Sequence, residues 1–295
     1  MSYYLKAIIR YCYFAFYYNS LFAFTRRFLM RIDAECAEAI RRAERNVGDA
    51  LGPEPTVLGG PFRGLRYPAQ ASWGSAFLPK LLGTYERELH KAIERVARRS
   101  YSLVVNVGAA EGYYAVGLAL RISKPLPAPP PPPPVIAFEI DGEARAMLAQ
   151  VIAHNGVQDR VAVAECCDGE QLLDLAQRGP GFLISDCEGC EFELFQPAQV
   201  RALAEWDLLI ETHDSLRQNV TRQLAARFRG THRVTLIKPR QRTTADFPLR
   251  GPFSRFERLA AMDEGRHRAK WLFLESTSRL TSRPAAHTGV VHVDV

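Results

Sequence analysis

Val104-Val105-Asn106-Val107-Gly108-Ala109-Ala110-Glu111-Gly112-Tyr113-Tyr114 joins a short β-branched run to a small-residue loop and then to a stretch with helical spacing. A nearly continuous apolar run of this length reads as a strand buried on both faces of a sheet. Glycine at 108 and 112 lets the backbone approach a ligand with no Cβ in the way, and the helix that follows offers free amides to an anionic group. In doubly wound sheets the ligand crevice lies at the C-terminal ends of the strands, beside the point where strand order reverses. This loop is therefore the first candidate for a binding site.

Outward from the loop the same alternation continues. Strand-like runs occur at Leu103–Val107, Val135–Glu139, Val161–Glu165, Phe182–Asp186, Asp207–Thr212, Arg233–Ile237 and Trp271–Leu274. Helical spacing fills Tyr113–Ile122, Glu143–His154 and Leu216–Phe228 between them. Such βα alternation predicts an α/β fold, Rossmann-like, with a mainly parallel sheet and helices on both faces. The last run, with Trp271 and Phe273, suits an antiparallel strand returning to the sheet edge. Upstream, residues 52–68 are rich in Gly and Pro and read as loop, followed by a helix from about Lys80 to Arg99.

Composition limits the alternatives. With 47% hydrophobic and 24% charged residues the chain has the make-up of a folded domain able to bury a large core. The net charge of +6 is uneven, with sixteen Lys or Arg against five Asp or Glu from Arg217 to Arg283, a bias that attracts anions but also fits a solvated helical surface. Six cysteines, at 12, 36, 166, 167, 187 and 190, do not form the framework of a small secreted domain and fit a reducing cytoplasm. Residues 1–32 are aromatic-rich but broken by Lys6, Arg10, Asn19, Arg26 and Arg27, so no run spans a membrane, and no signal-peptide cleavage pattern follows. Two readings stay open there: an interfacial or core-docking helix that could associate peripherally with a membrane, and a translation start at Met30. Residues 127–134 include six consecutive prolines and read as a polyproline II insertion on the surface.

Glu139 closes the strand after the glycine loop, where a carboxylate can accept hydrogen bonds from both hydroxyls of a ribose. A glycine loop plus a strand-end acid points to an adenosyl ligand. A nicotinamide dinucleotide would want G-x-G-x-x-G, with glycine at 110 and 113, but these are Ala110 and Tyr113. A dinucleotide-dependent oxidoreductase is thus the weaker alternative, alongside a catalytically silent binding module.

Four stretches together resemble the class I S-adenosylmethionine-dependent methyltransferases, and among them the FkbM-like group: Val105 to Tyr114; Ala137-Phe138-Glu139-Ile140-Asp141 with Asn155-Gly156-Val157; Ile184-Ser185-Asp186-Cys187-Glu188-Gly189-Cys190-Glu191; and Leu209-Ile210-Glu211-Thr212-His213-Asp214. The resemblance implies a seven-stranded sheet of order 3-2-1-4-5-7-6 with strand 7 antiparallel. It implies cofactor contacts along Asn106, Gly108, Ala110, Glu111, Gly112 and Tyr113, at Glu139 and Ile140, at Asp168 near the adenine and at Asp186 near the methyl group. Two departures stand out: Asn106 replaces the usual acid and Ala110 a frequent glycine. The stretch from Trp73-Gly74-Ser75 to Gly83-Thr84-Tyr85-Glu86 resembles the region that covers the cofactor. The resulting plan is residues 1–32 as an N-terminal segment, 33–100 as a helical extension and covering segment, 101–276 as the methyltransferase domain and 277–295 as a tail.

Strand-end acids and an imidazole supply the catalytic candidates. His213 is the first choice for a general base, with Asp186 and Asp214 beside it, because an imidazole titrates near neutrality. Each acid can equally be a helix cap or a structural ion pair. Asp186, Glu211 and His213 also have the composition of a divalent metal site. Cys187-Glu188-Gly189-Cys190 is a C-x-x-C, but a zinc site with Cys166 and Cys167 is disfavoured because neighbours on a strand point to opposite faces, and a thioredoxin-like redox role is disfavoured too. No Asn/Asp-Pro-Pro-aromatic and no Pro-Cys follows strand 4, so base methylation of nucleic acid is not expected, while ribose methylation stays open given the basic C-terminal half. The resemblance chiefly implies an oxygen of a small molecule or glycan as the acceptor.

Overall fold

The computed structural model describes residues 37–281 except 39, 52–54, 69–71, 123–133 and 266–269. The aromatic segment 1–32, most of the proline run and the tail beyond 281 lie outside the described residues. Seven strands form one sheet in the order β3-β2-β1-β4-β5-β7-β6. They are β1 Leu103–Val107, β2 Val135–Phe138, β3 Val161–Ala164, β4 Gly181–Ser185, β5 Asp207–Thr212, β6 His232–Ile237 and β7 Lys270–Ser276. β1 pairs in parallel with β2 and β4, β2 with β3, and β4 with β5. β7 inserts antiparallel between β5 and β6. Both the α/β class and the strand order expected from the sequence are the ones observed.

Burial accounts for the continuous apolar runs of the central strands. Every residue of β1, β4 and β5 is buried, as central parallel strands covered on both faces must be. The edge strands β3 and β6 carry exposed residues along their length. Period-two geometry then splits the core into two layers. Leu103, Val105 and Val107 join Trp206, Leu224 and Phe228 on one face. Val104 joins Tyr113, Val116, Leu148 and Trp271 on the other.

The helices are α1 at residues 40–51, α2 Phe77–Leu82, α3 His90–Ala97, α4 Tyr113–Arg121, α5 Gly142–His154, α6 Gly169–Ala176, α7 Glu191–Leu194, α8 Pro197–Ala202, α9 Val220–Phe228, α10 Arg255–Ala261 and α11 Thr277–Thr281. Two differ from the sequence reading. The helix expected over Lys80–Arg99 is two helices, because Gly83 at φ 71 packs against Gly59, where a Cβ would come within 2.3 Å of the Gly59 carbonyl. The helix expected from Leu216 begins only at Val220, after Asn219 in the left-handed region. The extension shares the main core: Val57, Phe62, Leu65 and Tyr67 are buried within it, and the Phe62 ring meets Tyr113 and Tyr114 edge-on. Among the described residues, no helix is long and apolar enough to cross a membrane.

Candidate functional site

The loops after β1 and β4 meet at the switch point between those neighbouring strands. Gly108 sits at φ 74, and a Cβ there would lie 1.8 Å from the Asp186 carbonyl oxygen, so this contact requires glycine. The turn continues through Ala110 at φ 48 and Gly112 at φ 100 into α4. Left-handed backbone costs alanine about 1 kcal/mol, so Ala110 must be held. Glu139 holds it: one carboxylate oxygen accepts from the Ala110 amide at 2.7 Å and the other from the Asp141 amide at 2.9 Å. Each carboxylate oxygen can accept a second hydrogen bond, so Glu139 keeps acceptor capacity for a ribose. Glu139 is only 8% exposed, whereas Ile140 beside it is 79% exposed and offers an apolar surface next to the crevice.

Other candidates are placed differently. Asn106 is buried on β1, and its side-chain oxygen has no hydrogen-bond partner among the described residues, an orphan acceptor that suits a ligand carrying a donor. Glu111 is buried and does not face the crevice with its carboxylate. It forms a buried ion pair with Lys80 and accepts from the Trp73 amide at 3.1 Å and the Ser72 hydroxyl at 3.3 Å. Glu111 thereby ties the segment 72–80 to the glycine loop. The Tyr113 side chain is packed in the core against Phe62 and Tyr85, and its backbone lies at the loop. Asp168 caps α6, accepting from the Gln171 amide at 2.8 Å while Gln171 accepts from the Asp168 amide. The capping reading holds for that acid.

At the ends of β4 and β5 the structure brings Asp186, Glu188, Glu191 and His213 together. His213 Nδ1 lies 2.5 Å from Glu191 Oε1, and Nε2 lies 3.3 Å from Glu188 and 3.6 Å from Asp186. An ionised carboxylate only accepts, so Nδ1 carries the proton shared with Glu191 and Nε2 is the basic nitrogen of the neutral ring. Glu191 is fully buried. Burial pulls the His213 pKa down, but the hydrogen bond and charge of Glu191, with Asp186 and Glu188 adding theirs, outweigh it and leave it above the ordinary 6.5. Asp214 is not part of this group. Its oxygens accept from the Thr221 amide at 3.0 Å, the Thr221 hydroxyl at 2.8 Å and Lys270 at 2.9 Å, which fixes the start of α9.

Asp186, Glu211 and His213 present ligand atoms within 4.8 Å of one another, a donor set suited to magnesium, manganese or zinc. Cys187 and Cys190 are joined in a disulfide, contrary to the expectation of reduced thiols, because the Glu188-Gly189 turn brings their Cα atoms to 5.5 Å. Cys166 is exposed and Cys167 buried, and both are free. Sequence reading missed Glu191 as a site residue although it ends the third matching stretch. Nothing in the sequence says that this glutamate, rather than Glu188, reaches Nδ1.

No protein-family model and no curated protein matches the sequence. Solved structures with a similar fold include a precorrin-8w decarboxylase from Methanobacterium thermoautotrophicum, 15% identical over 63% of this chain and 89% of its own, with a TM-score of 0.41. An rRNA methylase from Streptococcus thermophilus is 13% identical over 65% of this chain and 98% of its own, with a TM-score of 0.41. The C-terminal domain of precorrin-6Y C5,15-methyltransferase from Rhodobacter capsulatus is 15% identical over 63% of this chain and 86% of its own, with a TM-score of 0.38. Likeness at this level establishes no function.

Proposed function

We propose that this chain is a class I S-adenosylmethionine-dependent methyltransferase, FkbM-like in its motifs, that transfers a methyl group to an oxygen of a small molecule or glycan. The observation that carries this reading is the meeting of the left-handed 108–112 loop, the Glu139 carboxylate and Asp186 at the β1/β4 switch point. Gly108, Ala110 and Gly112 would hold the cofactor with their backbone, Asn106 with its orphan oxygen, Glu139 with its remaining acceptor capacity and Ile140 with its apolar face. When bound, that cofactor supplies a methyl group on a positively charged sulfur, already activated for displacement.

What remains for the protein is to hold the acceptor in line, exclude water and take a proton from a hydroxyl. His213 is built for the last task. Glu191 fixes the ring and its tautomer, leaving Nε2 to take the proton, and Glu191, Asp186 and Glu188 stabilise the imidazolium that results. A base must be unprotonated to act. The transfer rate should therefore rise with pH through the His213 pKa, above 6.5.

A second reading assigns His213 Nε2, with Asp186 and Glu211, to a divalent cation that would bind the acceptor oxygen, as the grouping of their ligand atoms supports. Metal-ligating histidines are commonly oriented by a carboxylate at the other ring nitrogen, as Glu191 does here. Transfer of labelled methyl from S-adenosylmethionine to a panel of hydroxylated small molecules and glycans, with and without a chelator, tests both. Transfer that survives chelation and falls in His213→Gln supports the base; transfer abolished by chelation and restored by magnesium or manganese supports the metal; transfer to nitrogen alone rejects the oxygen acceptor.

A further inference from the structure

The loop between β4 and α7 carries a bond that methyl transfer does not use. The Cys187–Cys190 disulfide closes a four-residue turn whose inner residues, Glu188 at φ 51 and Gly189 at φ 110, are both left-handed. For Glu188, which has a Cβ, that conformation is strained. Asp186 immediately precedes the disulfide and Glu191 immediately follows it. The three carboxylates that meet His213 therefore sit on one six-residue segment, and the disulfide fixes its middle. The same segment touches the glycine loop, since the Asp186 carbonyl abuts Gly108. Both cysteines are half-buried, within reach of a small thiol, whereas the free Cys167 is buried and its thiol is pushed up to about 12 by burial.

We propose that Cys187–Cys190 is a thiol–disulfide exchange site that locks the residues around His213 when oxidised and releases them when a dithiol reduces it. A thiolate of the dithiol attacks one cysteine sulfur, the S–S bond breaks, and the other cysteine leaves as a thiolate that takes up a proton. The second thiol of the reductant then attacks the mixed disulfide and frees the first cysteine. The protein gains two electrons and two protons, and the dithiol leaves as a cyclic disulfide. Once the cross-link is open, Glu188 can leave its left-handed conformation, and the segment no longer holds Glu188 and Glu191 against the imidazole. The exchange site stands independently of the methyltransferase reading; its expected effect on cofactor affinity rests on that reading.

The test uses the full chain, equilibrated with oxidised or reduced dithiothreitol. Alkylation with intact-mass and peptide analysis reports the cysteines, amide hydrogen exchange reports the segment 186–191, and calorimetry reports affinity for S-adenosylhomocysteine. Expected are Cys187 and Cys190 protected from alkylation in the oxidised form only, faster exchange across 186–191 on reduction, and cofactor affinity weakened by about fivefold or more, a coupling of ordinary size. A Cys187→Ser/Cys190→Ser variant should match the reduced form under both conditions. Labelling of both cysteines in the oxidised preparation, or identical exchange across 186–191 in the two forms, overturns the proposal. Redox-dependent exchange with no binding of the adenosyl compound in either form keeps the exchange site and rejects the methyltransferase reading.

Discussion

Strand β5 buries an acid near each of its ends, and the two surroundings differ. At its start Asp207 is fully buried and accepts from Arg99 at 2.7 Å, the Tyr101 hydroxyl at 2.7 Å and the Ser276 amide at 3.0 Å. Beside it Glu275 of β7, also fully buried, pairs with Arg95, Arg99 and Arg233. At the other end, past Glu211, the acids Asp186, Glu188 and Glu191 converge on one imidazole. Acids matched by guanidinium groups hold neighbouring strands together; acids gathered around a titratable ring keep electrostatic capacity for a reacting proton or cation. That contrast assigns structure to one end of the sheet and chemistry to the other.

The contrast can be broken from either side. Asp207→Ala strands the Tyr101 hydroxyl and the Ser276 amide and leaves Arg99 with Glu275 as its remaining carboxylate, and should cost about 3–5 kcal/mol of stability, the range for breaking a buried pair. Chemical denaturation reads that loss, and the His213 titration should not move; a moved titration would mean the two ends are one network. His213→Gln should do the reverse, lowering methyl transfer by a factor of about 100 or more, as loss of a general base does, with a small change in stability. A comparable loss of stability would make His213 structural.

The pH dependence sharpens the same point. His213 has its folded pKa raised above 6.5, so its stabilising contribution is fully present below the unfolded value and is lost as pH rises through the folded one. Denaturation of the wild type against His213→Gln should thus show the largest gap in favour of the wild type in mild acid, shrinking toward alkaline pH. A gap that widens with pH would mean that the Glu191 contact does not favour the charged ring. The smallest expected effect is at Ala110, where Ala110→Gly should relieve left-handed strain and stabilise by about 1 kcal/mol, seen as a higher Tm.

How much of this was legible in the sequence depends on the range of the interaction. β5 was readable to the residue, and β1 likewise, because a buried parallel strand is a continuous apolar run and its pattern is local. The break at Gly83 was not, because its cause is Gly59, which approaches through the fold. Glu139 could be singled out because it ends a strand, and the structure places it against the glycine loop. Glu111 and Tyr113 sit in the same loop motif, yet Glu111 turns toward Lys80 and Tyr113 into the core, choices set by residues 28 or more positions upstream. Glu191 is not legible as a site residue because its role depends on His213, 22 residues away just past the end of β5. Asp168 shows the converse: an acid immediately before a helix, where capping is the simplest use of a short carboxylate.

Isothermal titration of the full chain with S-adenosylmethionine, S-adenosylhomocysteine and NAD, repeated with Glu139→Ala, tests the central claim most directly. The account predicts that both adenosyl compounds bind and that Glu139→Ala weakens them by about tenfold or more, the loss of roughly one charge-assisted hydrogen bond. Binding of NAD alone, or affinity for the adenosyl compounds unchanged by the substitution, would contradict it.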